Sequence, residues 1–196
     1  MKLGEHMARS LFVAWSFLTG DTKQLKFLEM SDKGVVRSFT ALSFAAPMFF
    51  LINWLQFQAP GYEWVNIVHI ALLFLGYAAG WVGFAAIARF AYSTVGPPEN
   101  FLIYMPLYNW ARVYVLLLVL PFFTLSGIGL ITGTLKDVVF ALTILFVILY
   151  KLRITRATLL MPAFPSVLFV LFDMTLLVLA DALVFAWIMP ASNPPV

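Results

Sequence analysis

Residues 165–189 read PSVLFVLFDMTLLVLADALVFAWIM, and the only charges in that run are Asp173 and Asp181. A hydrocarbon core about 30 Å thick takes about 20 mostly apolar helical residues to cross, so this run predicts a membrane-spanning helix. A carboxylate at membrane depth costs at least about 2.5 kcal/mol on insertion scales and is normally paired or used. Asp173 and Asp181 are therefore the first candidate functional residues.

The same measure applied outward marks residues 35–57, 65–92 and 110–132 as further spans. A fifth run, 138–150, is short. Extended to 135–152 it crosses, with Lys136 and Lys151 snorkelling to opposite interfaces; the alternative is a re-entrant hairpin with the third span. Composition agrees with a lipid-dissolved chain: 63% of the 196 residues are hydrophobic and 11% charged. The mean hydropathy is +0.96, and a water-soluble domain carries about 25% charged residues. There is no cysteine, which removes disulfides and thiolate chemistry.

Basic residues set an orientation. Lys2, Arg9, Lys23, Lys26, Lys33 and Arg37 precede the first span, Arg89 and Arg112 flank the loop after the second, and Lys151, Arg153 and Arg156 follow the fourth. Only Lys136 falls on the other side. By the positive-inside rule the N-terminus is cytoplasmic and the tail 190–196 external. The expected fold is all-α: an integral-membrane five-helix bundle over 35–189, behind a cytoplasmic segment 1–34. That segment begins with an amphipathic, interfacial helix, its stripe formed by Leu3, Met7, Leu11, Ala14, Trp15 and Leu18, with Lys2, Glu5, Arg9 and Ser16 opposite. Gly20-Asp21 ends it, and a second short helix is expected over 22–30, with Ser31 or Asp32 capping the first span. The stripe either lies on the leaflet or packs beneath the bundle.

Depth along the helices ranks possible partners for the acids. At about 1.5 Å per residue, Asp173 lies near the level of Arg112 and Asp181 near that of His69. The two aspartates are about 12 Å apart along one helix, too far to share a proton. Asn53 is expected to bond between helices. Gly76, Gly80 and Gly83 suggest close helix packing, since small residues let backbones approach. Two readings follow for the polar set: structural pairs between helices, or a proton or ion relay from Arg112–Asp173 to Asp181–His69. No zinc-binding His-Glu-x-x-His, phosphate loop or nucleophile elbow occurs. No enzyme, metal, cofactor or nucleic-acid partner is therefore expected.

Gly20-Asp21, Ser31-x-x-Gly34, Arg37-Ser38-Phe39 leading to Ala46-Pro47, Tyr108-Asn109-Trp110 with Leu120-Pro121, Tyr150, Arg156-x-x-Leu159 and Asp173 after Leu171-Phe172 form a distributed pattern. It resembles a family of small bacterial inner-membrane proteins, loosely similar to the Yip1-like multi-span proteins. The resemblance implies about five spans and places Asn109, Trp110, Arg156 and Asp173 in a family pattern without assigning them roles. By analogy it suggests a scaffold. The expected function is a structural or interaction component, a scaffold or accessory subunit in the bilayer with membrane-protein partners or copies of itself. Its binding face would comprise the N-terminal segment, the loop 93–107 and the basic loop 151–162. The alternative is a small proton- or ion-coupled transporter using Asp173 and Asp181.

Overall fold

The computed structural model describes residues 3–57, 65–94 and 96–188, with side chains through residue 186. Lys2, the loop aromatics Tyr62 and Trp64 and the tail 190–196 lie outside the described residues. Among those described there are only helices and turns: α1 (Leu3–Thr19), a short 3₁₀ turn (Lys23–Phe27), α2 (Asp32–Ser38), α3 (Ala41–Gln56), α4 (Ile67–Ser93), α5 (Pro98–Gly127), α6 (Gly133–Leu159) and α7 (Ala163–Ile188). Five stretches are long and apolar enough to cross a membrane: Asp32–Gln56, which joins α2 and α3, and then α4 to α7. This is the architecture of an all-helical, multi-pass membrane protein.

Local chemistry fixes the ends. Ser31 is extended and its hydroxyl accepts the Gly34 N–H at 3.0 Å, capping α2. Gly34 has to be glycine, because a Cβ there would run into the Glu29 carbonyl oxygen. Asn66 caps α4 by accepting from Val68 and His69, while its own N–H donates to His69 Nδ1 at 3.1 Å. Pro98 opens α5, where a missing N–H costs nothing. α6 stops at Leu160, whose φ of 53° is left-handed, and the Tyr92 hydroxyl donates to the last helical carbonyl, Leu159, at 2.8 Å.

Three sequence boundaries are corrected. The segment 93–107 is no loop: from Pro98 it is the first third of α5, with Phe101, Tyr104, Met105 and Leu107 buried. Pro106 lies inside that helix without ending it. The segment 151–162 is likewise helical to Leu159, so α6 is a single helix long and apolar enough to cross a membrane, and no hairpin. Lys151 does not snorkel but is buried. In the N-terminal segment, the expected helix over 22–30 is the five-residue 3₁₀ turn.

α5 is the hub of the bundle, packing on α3 and α6 and carrying α1 and α2 on its flank, while α7 packs on α4 and α6. The face that α1 buries keeps Met7, Leu11, Ala14 and Leu18 of the expected stripe, which pack on the core, and departs from it elsewhere. His6, Ser10, Val13, Ala14, Ser16 and Phe17 are buried, whereas Leu3 and Trp15 are about half exposed, at 48% and 52%. Small side chains at Ser10 and Ala14 let the helix come close enough for its carbonyls to be used. Tyr114 donates to Leu11 O at 3.1 Å, Tyr150 to Ala14 O at 2.8 Å and Arg153 to Phe17 O at 2.8 Å.

α4 meets α7 through small residues. A Cβ at Gly76 would collide with the Val184 side chain, and one at Gly80 would lie 3.2 Å from Ala180 Cβ. Gly83 faces open space, so the close-packed run stops at Gly80. Gly76→Val is expected to destabilise the bundle by about 1–3 kcal/mol through overpacking, read as a lower unfolding midpoint in detergent. Val184→Ala should restore most of the loss, and a Gly76→Val variant as stable as the parent would refute the contact.

The α1 dock also carries a titratable group. His6 is fully buried, with Nδ1 3.2 Å from Glu29 Oε2 but neither ring nitrogen aligned in a hydrogen bond. Burial holds the imidazole below its ordinary range, against the partial opposition of the Glu29 charge. Burial also acts to raise Glu29, but Arg37 at 3.2 Å and Ser31 outweigh it and leave that carboxyl lowered. A histidine lowered by folding binds protons more readily when unfolded. The stability it supports is therefore present above the unfolded pKa of about 6.5 and lost as pH falls below it. The unfolding temperature should drop on acidification from about pH 7.5 to 5.5, and His6→Gln should flatten that dependence. An unchanged slope in the variant would exclude His6 as its source.

Candidate functional site

Asp173 lies ten residues into α7 and Lys151 eight residues before the end of α6, depths of about 15 Å and 12 Å at 1.5 Å per residue. Arg112 sits midway along α5. All three charges meet at one level in the bundle interior, 2%, 8% and 3% exposed respectively. Asp173 Oδ1 accepts from Arg112 Nη2 at 2.8 Å and from the Tyr108 hydroxyl, and Oδ2 accepts from Lys151 Nζ at 2.6 Å. The Tyr108 oxygen in turn accepts from Arg112 Nε at 2.9 Å and from Nη2. The guanidinium carbon lies 4.8 Å from the Tyr108 ring centre, 4.9 Å from Trp81 and 5.8 Å from Tyr77. Each is a cation–π distance.

A neutral bridge runs beside the charges. Trp81 Nε1 donates to Asn109 Oδ1 at 2.6 Å, Asn109 Nδ2 to Ser38 Oγ at 2.7 Å, and Ser38 Oγ to Val35 O at 2.6 Å. Ion cluster and bridge together take a side chain from every membrane-length stretch. On the α1 side of the cluster the interior is aromatic. Tyr104 lies 5.2 Å from Tyr108 and 5.7 Å from Phe169, and Phe84 lies 4.9 Å from Tyr108, centre to centre.

Of the residues singled out from sequence, Arg112 and Asp173 are paired and Asn109 is a bridging residue. Trp110 is fully buried against Phe44, with ring centres 5.5 Å apart. Arg156 is exposed on the last turns of α6, beside Arg153. Two expectations are corrected. Asn53 donates to Phe49 O of its own helix at 2.9 Å instead of bonding to a neighbouring helix. Among the described residues no hydrogen bond or ion pair joins Asp181 to His69: His69 closes the α4 capping box, and Asp181 Oδ1 is buried without a hydrogen-bond partner. The Asn66 N–H holds His69 Nδ1, and His69 lies about 15 Å along α4 from the turn of Gly80, which packs on Ala180 beside Asp181.

Lys151 and Tyr108 were missed as site residues. Both were readable in principle, since extending α6 through its apolar periodicity to Leu159 brings Lys151 to the depth of Asp173. Tyr108 precedes Arg112 by one helical turn, on the same face. Taken at formal charges, two cations share one carboxylate, so the cluster is a positively biased junction. Among the described residues no group of three His, Asp or Glu side chains could hold a metal ion. Fold and site thus define the class: an all-helical protein with five helices long and apolar enough to cross a membrane, knit by a buried ion cluster. Comparison with known proteins adds no closer assignment: no family model, curated protein or solved structure matches the chain.

Proposed function

We propose that this protein is a structural or interaction component of a bacterial cytoplasmic membrane, a scaffold or accessory subunit of the Yip1-like kind, and not an enzyme. The N-terminus lies inside and the C-terminus outside. One observation carries the reading: Arg112, Lys151 and Asp173 close on one another, and the rings of Tyr104, Tyr108, Phe84 and Phe169 fill the bundle between them and the α1 end. A relay needs polar groups continuing to both ends, and on the α1 side the Arg112–Lys151–Asp173 cluster meets aromatic rings. Charge placement supports the orientation. Arg9, Lys23, Lys26, Lys33, Arg37, Arg89, Arg153 and Arg156 fall at the α1 end, against Lys136 at the other. The binding face is that α1 end, where α1 and the exposed Arg153 and Arg156 of α6 lie together. It keeps the N-terminal segment and part of the basic segment 151–162 expected from sequence, and leaves out 93–107, whose Phe101, Tyr104, Met105 and Leu107 are buried in α5.

Protein solubilised in mild detergent is expected to migrate with a partner or a second copy, above the mass of the single 22.0 kDa chain. Proteoliposomes holding a pH-sensitive dye are expected to stay inert. Proton flux abolished by Asp173→Asn would overturn the scaffold in favour of a transporter, and a strictly monomeric, partnerless species would remove its basis.

A further inference from the structure

Two adjoining cavities lie between α5 and α7 on the side of the ion cluster away from α1. One, of about 460 Å³, extends toward α3 and α4, and the other, of about 310 Å³, toward α6. Volumes of this order enclose small ligands. Tyr77, Leu116, Val119, Phe123, Leu177 and Asp181 line both, so the two share a wall. Arg112 and Lys151 form the polar end of the smaller one.

Two polar atoms on this lining have no partner. Arg112 uses Nε and Nη2 on Tyr108 and Asp173, and Nη1 is buried with no hydrogen bond. Asp181 Oδ1 is buried and equally unpartnered. A buried polar group left unsatisfied costs about 1–3 kcal/mol, more when charged. Water could meet that need only with several polar partners at each position, and between the two groups the shared wall offers one further polar atom, the Tyr77 hydroxyl, among phenyl and aliphatic side chains. The unpartnered groups are opposite in sign, and Asp181 lies about 12 Å, a little over two turns, along α7 from the aspartate that Arg112 binds. Such a lining complements a molecule with an anion at one point, an ammonium at another and hydrocarbon around them.

We propose that this cavity binds a zwitterionic amphiphile, its anionic group on Arg112 Nη1, its ammonium on Asp181 and its apolar part along the shared wall. The same chemistry comes from two sources: an ethanolamine phospholipid headgroup, or a free apolar peptide with both termini charged. Because the aromatic rings beneath Arg112 close the α1 side, the cavity holds its ligand and does not pass it. The site stands or falls independently of any protein partner.

Native mass spectrometry of the purified full chain tests this with three probes: lysophosphatidylethanolamine, lysophosphatidylglycerol and leucyl-leucine. A zwitterionic probe is expected to be retained in preference to lysophosphatidylglycerol. Asp181→Asn should weaken the zwitterion by about tenfold or more without weakening lysophosphatidylglycerol. Val119→Trp, which fills the shared wall without touching the ion cluster, should remove binding, and so keeps the test valid if Arg112→Gln fails to fold. Retention of the lysolipid assigns the site to the bilayer, and retention of the dipeptide to a soluble ligand. Binding of neither zwitterion, or affinities indifferent to Asp181→Asn and Val119→Trp, overturns the proposal.

Discussion

Asp173→Asn is expected to cost about 3–5 kcal/mol of stability, the range for removing one partner from a buried ion pair. The amide is nearly isosteric, so packing hardly changes. What changes is charge: Arg112 and Lys151, both buried, lose the one carboxylate that faces them at 2.8 Å and 2.6 Å. The measurement is the unfolding midpoint in a mixed-micelle denaturant titration, followed by intrinsic tryptophan fluorescence, with folded yield as a companion.

The two-cation arrangement makes the cost asymmetric. Arg112→Met leaves Asp173 held by Lys151, and Lys151→Met leaves it held by Arg112 and Tyr108, so neither strands a carboxylate. Arg112→Met should still cost more than Lys151→Met, because the guanidinium also lies over the Trp81, Tyr108 and Tyr77 rings. The expected order of loss is Asp173→Asn, then Arg112→Met, then Lys151→Met. Adding Lys151→Met to Asp173→Asn should recover part of the loss by removing one stranded cation. An Asp173→Asn protein within about 0.5 kcal/mol of the parent, the usual range of surface substitutions, would show that the cluster contributes nothing to folding. Strict additivity of the double variant would show the two side chains to be uncoupled.

Why Arg112 was legible as the partner of Asp173 and Lys151 was not is a matter of helix ends. Span length and hydropathy identify five crossings, and counting residues from an interface places Arg112 and Asp173 at one level. Sequence alone assigns Lys151 to the interface, because a lone lysine near the end of an apolar run usually snorkels. A carboxylate in the interior removes that need, and the helix then continues to Leu159. The α1 face is legible only in part, at Met7, Leu11, Ala14 and Leu18, for a related reason. Hydropathy ranks Leu3 and Trp15 as buried, but α1 docks where Tyr114, Tyr150 and Arg153 donate to its backbone carbonyls. That dock selects Ser10 and Ala14 for their size. Depth misplaces His69: Gly80 of α4 meets Ala180 of α7 and Gly76 meets Val184, so Asp181 lies level with the Gly80 turn, about 15 Å along α4 from His69.

Asn109→Leu is the second large effect, and it separates hydrogen bonding from packing at the centre of the bundle. Asn109 is fully buried and joins α4 to α2 by accepting from Trp81 Nε1 at 2.6 Å and donating to Ser38 Oγ at 2.7 Å. Leucine is close in shape but cannot accept, so the Trp81 N–H is left buried without a partner, at a cost of about 1–3 kcal/mol. Ser38 loses less, since its hydroxyl still donates to Val35 O at 2.6 Å. Removing both ends of the orphaned bond is a different matter. In Trp81→Phe with Asn109→Leu no donor remains to be stranded, and replacing both partners by apolar groups can be nearly neutral. The double variant should therefore unfold at a higher denaturant concentration than Asn109→Leu alone, despite being the larger change in sequence. Trp81 also shields the Arg112 guanidinium at 4.9 Å, which a phenyl ring does less well, so recovery should stop short of the parent. If the double variant is less stable than Asn109→Leu by the full cost of Trp81→Phe alone, the bridge is packing and not a hydrogen bond.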